Sequence, residues 1–192
     1  MRIIAGRLKG RRLRAPPGRE VRPTSDRVRQ ALFGILEHGE PRLVGARFLD
    51  LFAGSGAVGL EAFSRGARRV LLMEREKPAI EAIRANLARL PTEGAVELRI
   101  ADATQPGVAD QPFEIAFLDP PYRSGLARAA LEALARGGWL VPDARVVVEL
   151  ARTEDLEPPP GFALEQTRRY GAAKLVFLRF HPERRGGEPR GP

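Results

Sequence analysis

The 192-residue chain contains no cysteine. That excludes a disulfide framework, a thiol nucleophile and a cysteine-bound zinc. Histidine is nearly absent too: His38 and His181 are too few and too scattered to build an imidazole metal centre, so no metal is expected. No apolar run approaches the roughly 18 residues that suggest a membrane span. The basic N-terminus lacks an apolar h-region and a small-residue cleavage site, so it does not read as a secretory signal. At 43% hydrophobic residues the chain is not a disordered polymer. Its length suits one domain with a full core, and the simplest expectation is a soluble, cytoplasmic monomer.

Charge is plentiful, but its placement is uneven. Residues 1–30 carry ten cations (Arg2, Arg7, Lys9, Arg11, Arg12, Arg14, Arg19, Arg22, Arg27 and Arg29) against Glu20 and Asp26. That local excess of +8 equals the net charge of the whole chain, so residues 31–192 sum to zero. A local basic arm points to a polyanionic partner, nucleic acid first, although a solvated tail would have the same composition.

Beyond the arm, "RPTSDRVRQALFGIL" offers Thr24, Ser25 and Asp26 as N-caps for a helix over about 25–38. Strand-like and helix-like segments then alternate. Strands are expected at 47–52, 69–74, 96–101, 113–119 and 144–150, with helices at 57–66, 76–90 and 124–138. Such alternation predicts an α/β fold with a mostly parallel, doubly wound sheet. The segment 162–180 has two strand-like runs joined by "RRYGAA" without a helix, which predicts an antiparallel C-terminal hairpin. "RIIAGRLKGRRLRAP" predicts a small N-terminal hairpin turning at Lys9-Gly10. The organisation expected is a basic arm over 1–20, a catalytic domain over 21–180 and a flexible tail over 181–192.

The stretch "DLFAGSGAVGLEA" lies where the first strand gives way to a helix, and Gly54, Gly56 and Gly59 fit G-x-G-x-x-G. Such loops let a ligand approach the backbone, although a structural glycine turn would look alike. Two acids turn the reading away from NAD. Asp50 at the strand end would repel a pyrophosphate but welcome a cation. Glu74 closes the second strand 24 residues later and could accept from both ribose hydroxyls of an adenosine. An adenosine with a positive charge and no phosphate is S-adenosylmethionine, whose product is S-adenosylhomocysteine. Phe52 belongs to the same cofactor loop. Asp102, ending the third strand in "RIADA", could accept from the adenine amine or simply shape a turn.

The fourth strand ends in "DPPY", Asp119 to Tyr122. This resembles the D/N-P-P-Y/F motif of methyltransferases that act on planar exocyclic amines. Such an amine is a poor nucleophile because its lone pair is delocalised. Asp119 and the Pro120 carbonyl can accept its two N–H bonds, and the stiff Pro120-Pro121 corner can present Tyr122 to stack on the base. The proton then leaves to Asp119 or to water. Arg123 and Trp139 read as a solvated arginine and a packing residue, and Tyr170 as a hairpin residue first.

Together, "RIIAGRLKGRRL", "RPTSDRVRQALFGIL", "FLDLFAGSGAVGLEAFSRGA", "FLDPPY" and "YGAAKLVFL" resemble the bacterial small-subunit ribosomal RNA guanine-N2 methyltransferases of the RsmD type, over nearly all of residues 1–180. The resemblance implies a Rossmann-like class I methyltransferase fold, S-adenosylmethionine as donor and the N2 amine of one guanine as acceptor. It implies a substrate closer to an assembled small ribosomal subunit than to naked RNA. It places Arg22, Thr24 and Ser25 near the donor's methionine end, and Asp50, Gly54 and Gly56 along the cofactor. Glu74 would bind the ribose and Asp119 to Tyr122 the base. Arg2, Arg7, Lys9, Arg11, Arg12 and Arg14 would grip RNA, with a flipped base entering the pocket. The loop "QPGVADQP" fits the pattern least. A DNA adenine-N6 methyltransferase shares the D-P-P-Y logic, and a non-catalytic RNA-assembly factor could keep the scaffold.

Overall fold

The structure is a computed structural model that describes residues 1–17, 26–92 and 94–182. The candidate caps Thr24 and Ser25, Arg22, and the tail beyond Pro182 lie outside the described residues. The elements run α1 (Asp26–Leu36), β1 (Arg47–Leu51), α2 (Ala57–Ser64), β2 (Arg69–Glu74), α3 (Lys77–Leu87), β3 (Val96–Ile100), β4 (Phe113–Leu118), α4 (Leu126–Arg136), β5 (Leu140–Ala151), β6 (Phe162–Tyr170) and β7 (Ala173–Phe180). All strands join one sheet in the order β3-β2-β1-β4-β5-β7-β6. Strands β1 to β5 are mutually parallel, and β7 runs antiparallel to both β5 and β6. The strand order reverses between β1 and β4, so a crevice opens at their carboxyl ends.

Alternation along the strands sorts the core into two layers. Phe48, Val70, Phe117, Val147 and Phe177 face α1, α2 and Ile83 of α3. Leu49, Leu71, Ala116, Leu118, Val146 and Val148 face the apolar side of α4 and Trp139. The final hairpin forms as expected, with β7 as the inner strand. "AKLVFLRF" is apolar enough for a buried central position, whereas "FALEQTRRY" leaves most of its side chains in water at the edge. β5 starts four residues earlier than its apolar pattern suggests. Its register against β4 shifts between Phe113 and Ile115, and the resulting irregularity accommodates Pro142 and Asp143, the latter at φ 61°.

The N-terminal hairpin is smaller than a strand pair but firmly docked. One bridge joins Arg2 to Arg12, and Gly10 turns the chain at φ 83°. Ile3, Leu8 and Leu13 bury into the same core as α1 and α2. The irregular backbone is satisfied by side chains of the domain. The buried Glu61 carboxylate accepts the amides of Ile4 (2.7 Å) and Ala5 (3.0 Å), and Ser64 Oγ accepts that of Leu8 at 2.9 Å. A Cβ on Gly6 would lie 1.9 Å from the Ser64 carbonyl oxygen, so only glycine permits the approach. Asn86 of α3 accepts the Arg14 amide at 2.7 Å and donates to the carbonyls of Arg14 (3.0 Å) and Ser55 (2.9 Å). One amide side chain therefore ties the hairpin to the glycine loop.

Glu61 also pairs with Arg65 at 2.7 Å. Glu61→Ala leaves two hairpin amides without their acceptor and takes from the largely buried Arg65 guanidinium one of its two carboxylate partners, Glu37 remaining at 2.9 Å. It should lower unfolding stability by about 3–5 kcal/mol in urea titration and speed amide exchange at residues 4 and 5. Unaltered exchange at those amides would mean that the hairpin is held by its apolar contacts alone.

Candidate active site

At the carboxyl ends of β1, β2 and β4 lies a cavity of about 360 Å³, within the range of small-molecule sites. Its floor and walls include Phe52, Gly54, Met73, Glu74, Ala103, Asp119 and the segment Pro120 to Tyr122. Residues predicted from two separate motifs, Phe52 and Gly54 from one and Asp119 to Tyr122 from the other, thus meet in one crevice because β1 and β4 are neighbours.

The loop after β1 is shaped by backbone twist. Phe52, Gly54 and Gly56 all take positive φ, at 57°, 58° and 75°. For Phe52 that conformation is strained, by roughly 1–2 kcal/mol, and it turns the chain over the pocket. Gly56 stands at the N-cap of α2, and a Cβ on Gly59 would meet Leu72 at 2.3 Å. Gly59 therefore serves close helix–sheet packing, while Gly54 lines the pocket.

Two carboxylates fix the loop. Buried Glu74 accepts the Gly54 amide at 2.8 Å, together with the amides of Arg75 (2.8 Å) and Glu76 (2.9 Å). Asp50 accepts the Gly59 amide at 2.8 Å and is 1% exposed. Asp50 is therefore a support behind the pocket: Phe52 and Gly54 line it, and Asp50 and Gly56 do not. Burial pushes the Asp50 carboxyl well above the usual range; the Gly59 amide opposes this, and the negative charge of Glu74 adds to it.

Asp102 sits beside the wall formed by Ala101 and Ala103. Its Oδ1 accepts from the Thr104 amide (2.8 Å) and hydroxyl (2.7 Å), and its Oδ2 pairs with Arg75 at 2.5 Å. These contacts, Thr104 first, hold its pKa below the ordinary value. Asp102 thus anchors Arg75 at the rim. Asp119 continues β4, with its amide donated to the Leu51 carbonyl at 3.3 Å. The Tyr122 hydroxyl lies 3.4 Å from Oε1 of Glu149, a buried acid of β5. Glu149 was not singled out from the sequence, although it carries the signal that exposed Asp50: an acid inside an apolar strand, "VVVEL". Met73, Ala103 and Leu126 were also missed, because apolar wall residues look like any other core.

The six cations of the arm, Arg2, Arg7, Lys9, Arg11, Arg12 and Arg14, are exposed. Arg7 is partly committed, since its guanidinium lies 3.7 Å from the Phe63 ring centroid and donates to the Phe63 carbonyl at 3.1 Å. Trp139 is buried, stacks on Phe113 and donates Nε1 to the Gly107 carbonyl at 2.9 Å, so it packs the "QPGVADQP" loop.

The family described as "Conserved hypothetical protein 95" matches residues 1–179. The protein named ribosomal RNA small subunit methyltransferase D of Escherichia coli K12 is 40% identical over 152 residues, 78% of this chain and 74% of its own length. The chain belongs to the RsmD family. The Haemophilus influenzae protein of the same name is 34% identical over 176 residues, 89% of each chain. The solved structure of the Escherichia coli yhhF protein superposes with a TM-score of 0.80, at 35% identity, over 95% of this chain and 99% of that one. An RNA methyltransferase from Salinibacter ruber, solved with S-adenosyl-L-homocysteine, superposes with a TM-score of 0.64 over 86% of this chain and 97% of its own. At 18% identity it bears on the fold alone.

The fold and family are those of a class I S-adenosylmethionine-dependent methyltransferase, and the RsmD-type pocket fits that donor. Buried Glu74 at the strand end is suited to a ribose diol. Phe52, Met73, Ala103 and Leu126 give the lining its apolar surface, and the nearest atom to a Cβ built on Gly54 is the Phe52 carbonyl oxygen at 4.0 Å. Among the described residues no cluster of acids and histidines could hold a metal, and no helix is long and apolar enough to cross a membrane.

The raised Asp50 pKa has a defined consequence. The folded state favours the protonated form, so its contribution to stability is complete at acid pH and fades as pH rises through the folded pKa. Wild type should therefore lose stability relative to Asp50→Asn as pH rises from the acid range toward neutrality, measured by urea unfolding without donor. A constant difference between the two proteins would place Asp50 in an ordinary ionisation range.

Proposed function

We propose that this chain transfers a methyl group to the exocyclic N2 amine of one guanine in small-subunit ribosomal RNA, with an assembled particle as the substrate. The observation that carries this reading is the single crevice bounded by Glu74 on one side and by Asp119 to Tyr122 on the other. One wall suits a nucleoside donor, and the other suits a flat amine-bearing base.

When bound, the donor supplies an activated sulfonium methyl. Glu74 holds its ribose, and the Phe52–Gly54 backbone supports it. Asp50 braces the loop from behind the pocket through the Gly59 amide. Asp119 and the Pro120 carbonyl accept the two N–H bonds of the acceptor amine, orienting its lone pair. Pro121 stiffens the corner, and the Tyr122 ring stacks on the base, with Glu149 near its hydroxyl. Catalysis is then mainly positioning, as suits an acceptor that needs alignment more than activation. The docked hairpin presents Arg2, Lys9, Arg11, Arg12 and Arg14 as a fixed basic platform for RNA. The reading divides the chain into this arm (1–20), the catalytic domain (21–180) and the tail (181–192).

Mass spectrometry of ribosomal RNA from small-subunit particles treated with enzyme and donor should find one added methyl, on guanine N2. Methyl on adenine N6, or heat of donor binding without any transfer, would overturn the reading. Asp119→Ala should bind donor within about threefold of wild type while turnover falls by about 100-fold or more. Loss of donor binding in that variant would give Asp119 the wrong role.

Lys9→Ala, Arg11→Ala and Arg12→Ala together should weaken RNA binding and flatten its salt dependence by about 0.7–0.9 per lost phosphate contact. Arg7→Ala should also lower Tm, because that side chain stacks on α2. An unchanged salt slope in the triple variant would return the arm to a purely structural part.

A further inference from the structure

Behind Tyr122, on the side away from the donor crevice, lies a second cleft of about 510 Å³. It is built where three chain segments meet: Arg123 after the D-P-P-Y corner, Arg152 and Thr153 past the end of β5, and Gly171 in the β6–β7 turn. Tyr122 lines both cavities and is the partition between them. We propose that this cleft seats the phosphodiester backbone flanking the acceptor nucleotide, with Arg123 and Arg152 as its phosphate contacts. The inference rests on the proposed function, since it supplies the place for the rest of a nucleotide whose base enters the crevice.

The charge distribution supports it. Among the described residues, Glu74, Glu76 and Asp119 line the donor crevice with Arg75 as its one cation, and Arg75 is paired with Asp102. Such a surface repels phosphate. The second cleft has Arg123 and Arg152 as its charged lining residues. Among the described residues, neither guanidinium forms an ion pair. Arg123 Nη2 lies 3.4 Å from Thr153 Oγ1, and Arg152 Nη1 lies 3.3 Å from the Gly171 carbonyl oxygen. A guanidinium carries five N–H donors, so each keeps most of its capacity. At the opposite end of the β5–β7 pair the contrast is clear: Arg145 and Arg179 are spent on Glu165.

The backbone is also arranged for the purpose. Arg123 takes φ 57°, a conformation unusual for arginine. Its amide is held by the Glu154 carboxylate at 3.0 Å, and the turn closes through Ser124 Oγ to the Pro121 carbonyl at 2.6 Å. The acid next to Arg123 is therefore engaged by main chain. A base stacked on one side of Tyr122 with its amine toward Asp119 carries its sugar outward over the rim. The adjoining phosphates then fall on the arginine side.

The test uses Arg123→Ala/Arg152→Ala and a control pair, Arg84→Ala/Arg136→Ala, which removes equal charge from exposed positions on α3 and α4. Affinity for a labelled single-stranded RNA oligonucleotide and for small-subunit particles is measured with S-adenosylhomocysteine saturating, at three salt concentrations. The cleft variant should bind at least about tenfold more weakly, with a salt slope shallower by about 1.4–1.8. Calorimetric affinity for S-adenosylhomocysteine and Tm should stay at wild-type values. Arg123→Lys/Arg152→Lys should recover much of the affinity, and the control pair should change little. Wild-type RNA affinity and slope in the cleft variant would overturn the proposal. So would an equal loss in the control pair, which would make the effect one of net charge. If wild type binds RNA but methylates none, the proposed function falls, while the binding comparison still decides the cleft.

Discussion

The site depends on one recurring constraint: main-chain amides that leave the sheet must find acceptors, and acidic side chains supply them. Glu74 takes three such amides at the end of β2 and thereby fixes Gly54, the residue where the loop from β1 passes along the pocket. Asp50 takes the Gly59 amide in the first turn of α2. A carboxylate accepting from backbone N–H groups is a charge-assisted arrangement, stronger than a neutral turn bond. Because Glu74 and Asp50 end neighbouring strands, the loop between them is held from both sides. Its strained Phe52 conformation is sustained by those two anchors.

The same device works at the opposite end of α2. Glu61 takes the amides of Ile4 and Ala5, which a two-residue bridge between Arg2 and Arg12 leaves without strand partners. Asn86 then joins the two systems, touching Arg14 of the hairpin and Ser55 of the glycine loop. The basic hairpin is thus an integral wall of the domain. A displacement of the hairpin would be felt at the loop through a single buried side chain.

Much of this was legible in the sequence, for physical reasons. Strand and helix periodicities placed every element of the sheet, and acids at strand ends marked Asp50, Glu74 and Asp119. Three things were not legible. Whether an acid lines a pocket or braces it depends on which way its strand residue points, so Asp50 looked like a ligand contact. Asn86 and Glu61 stand in helices where polar residues usually face water, and only the docked hairpin makes them buried acceptors. Glu149 and Arg152 gain their place from β5 lying beside β4, a tertiary neighbour that sequence spacing does not show.

The partition of charge has a further consequence for how a polyanion can be handled at all. Acids collect at the carboxyl edge of the sheet, in Asp50, Glu74, Asp119 and Glu149, while the cations of the hairpin are exposed. Phosphate over that edge would be opposed by charges in a partly desolvated setting, where screening by salt is weak. A nucleobase carries no net charge and meets no such barrier. On the proposed function, this architecture sorts a nucleotide by its parts, admitting the base and holding the backbone at the rim. Salt should then govern how tightly RNA is gathered far more than how fast an aligned base reacts. On that reading the first rests on exposed cations, and the second on the half-buried Asp119 and the buried Pro120 backbone.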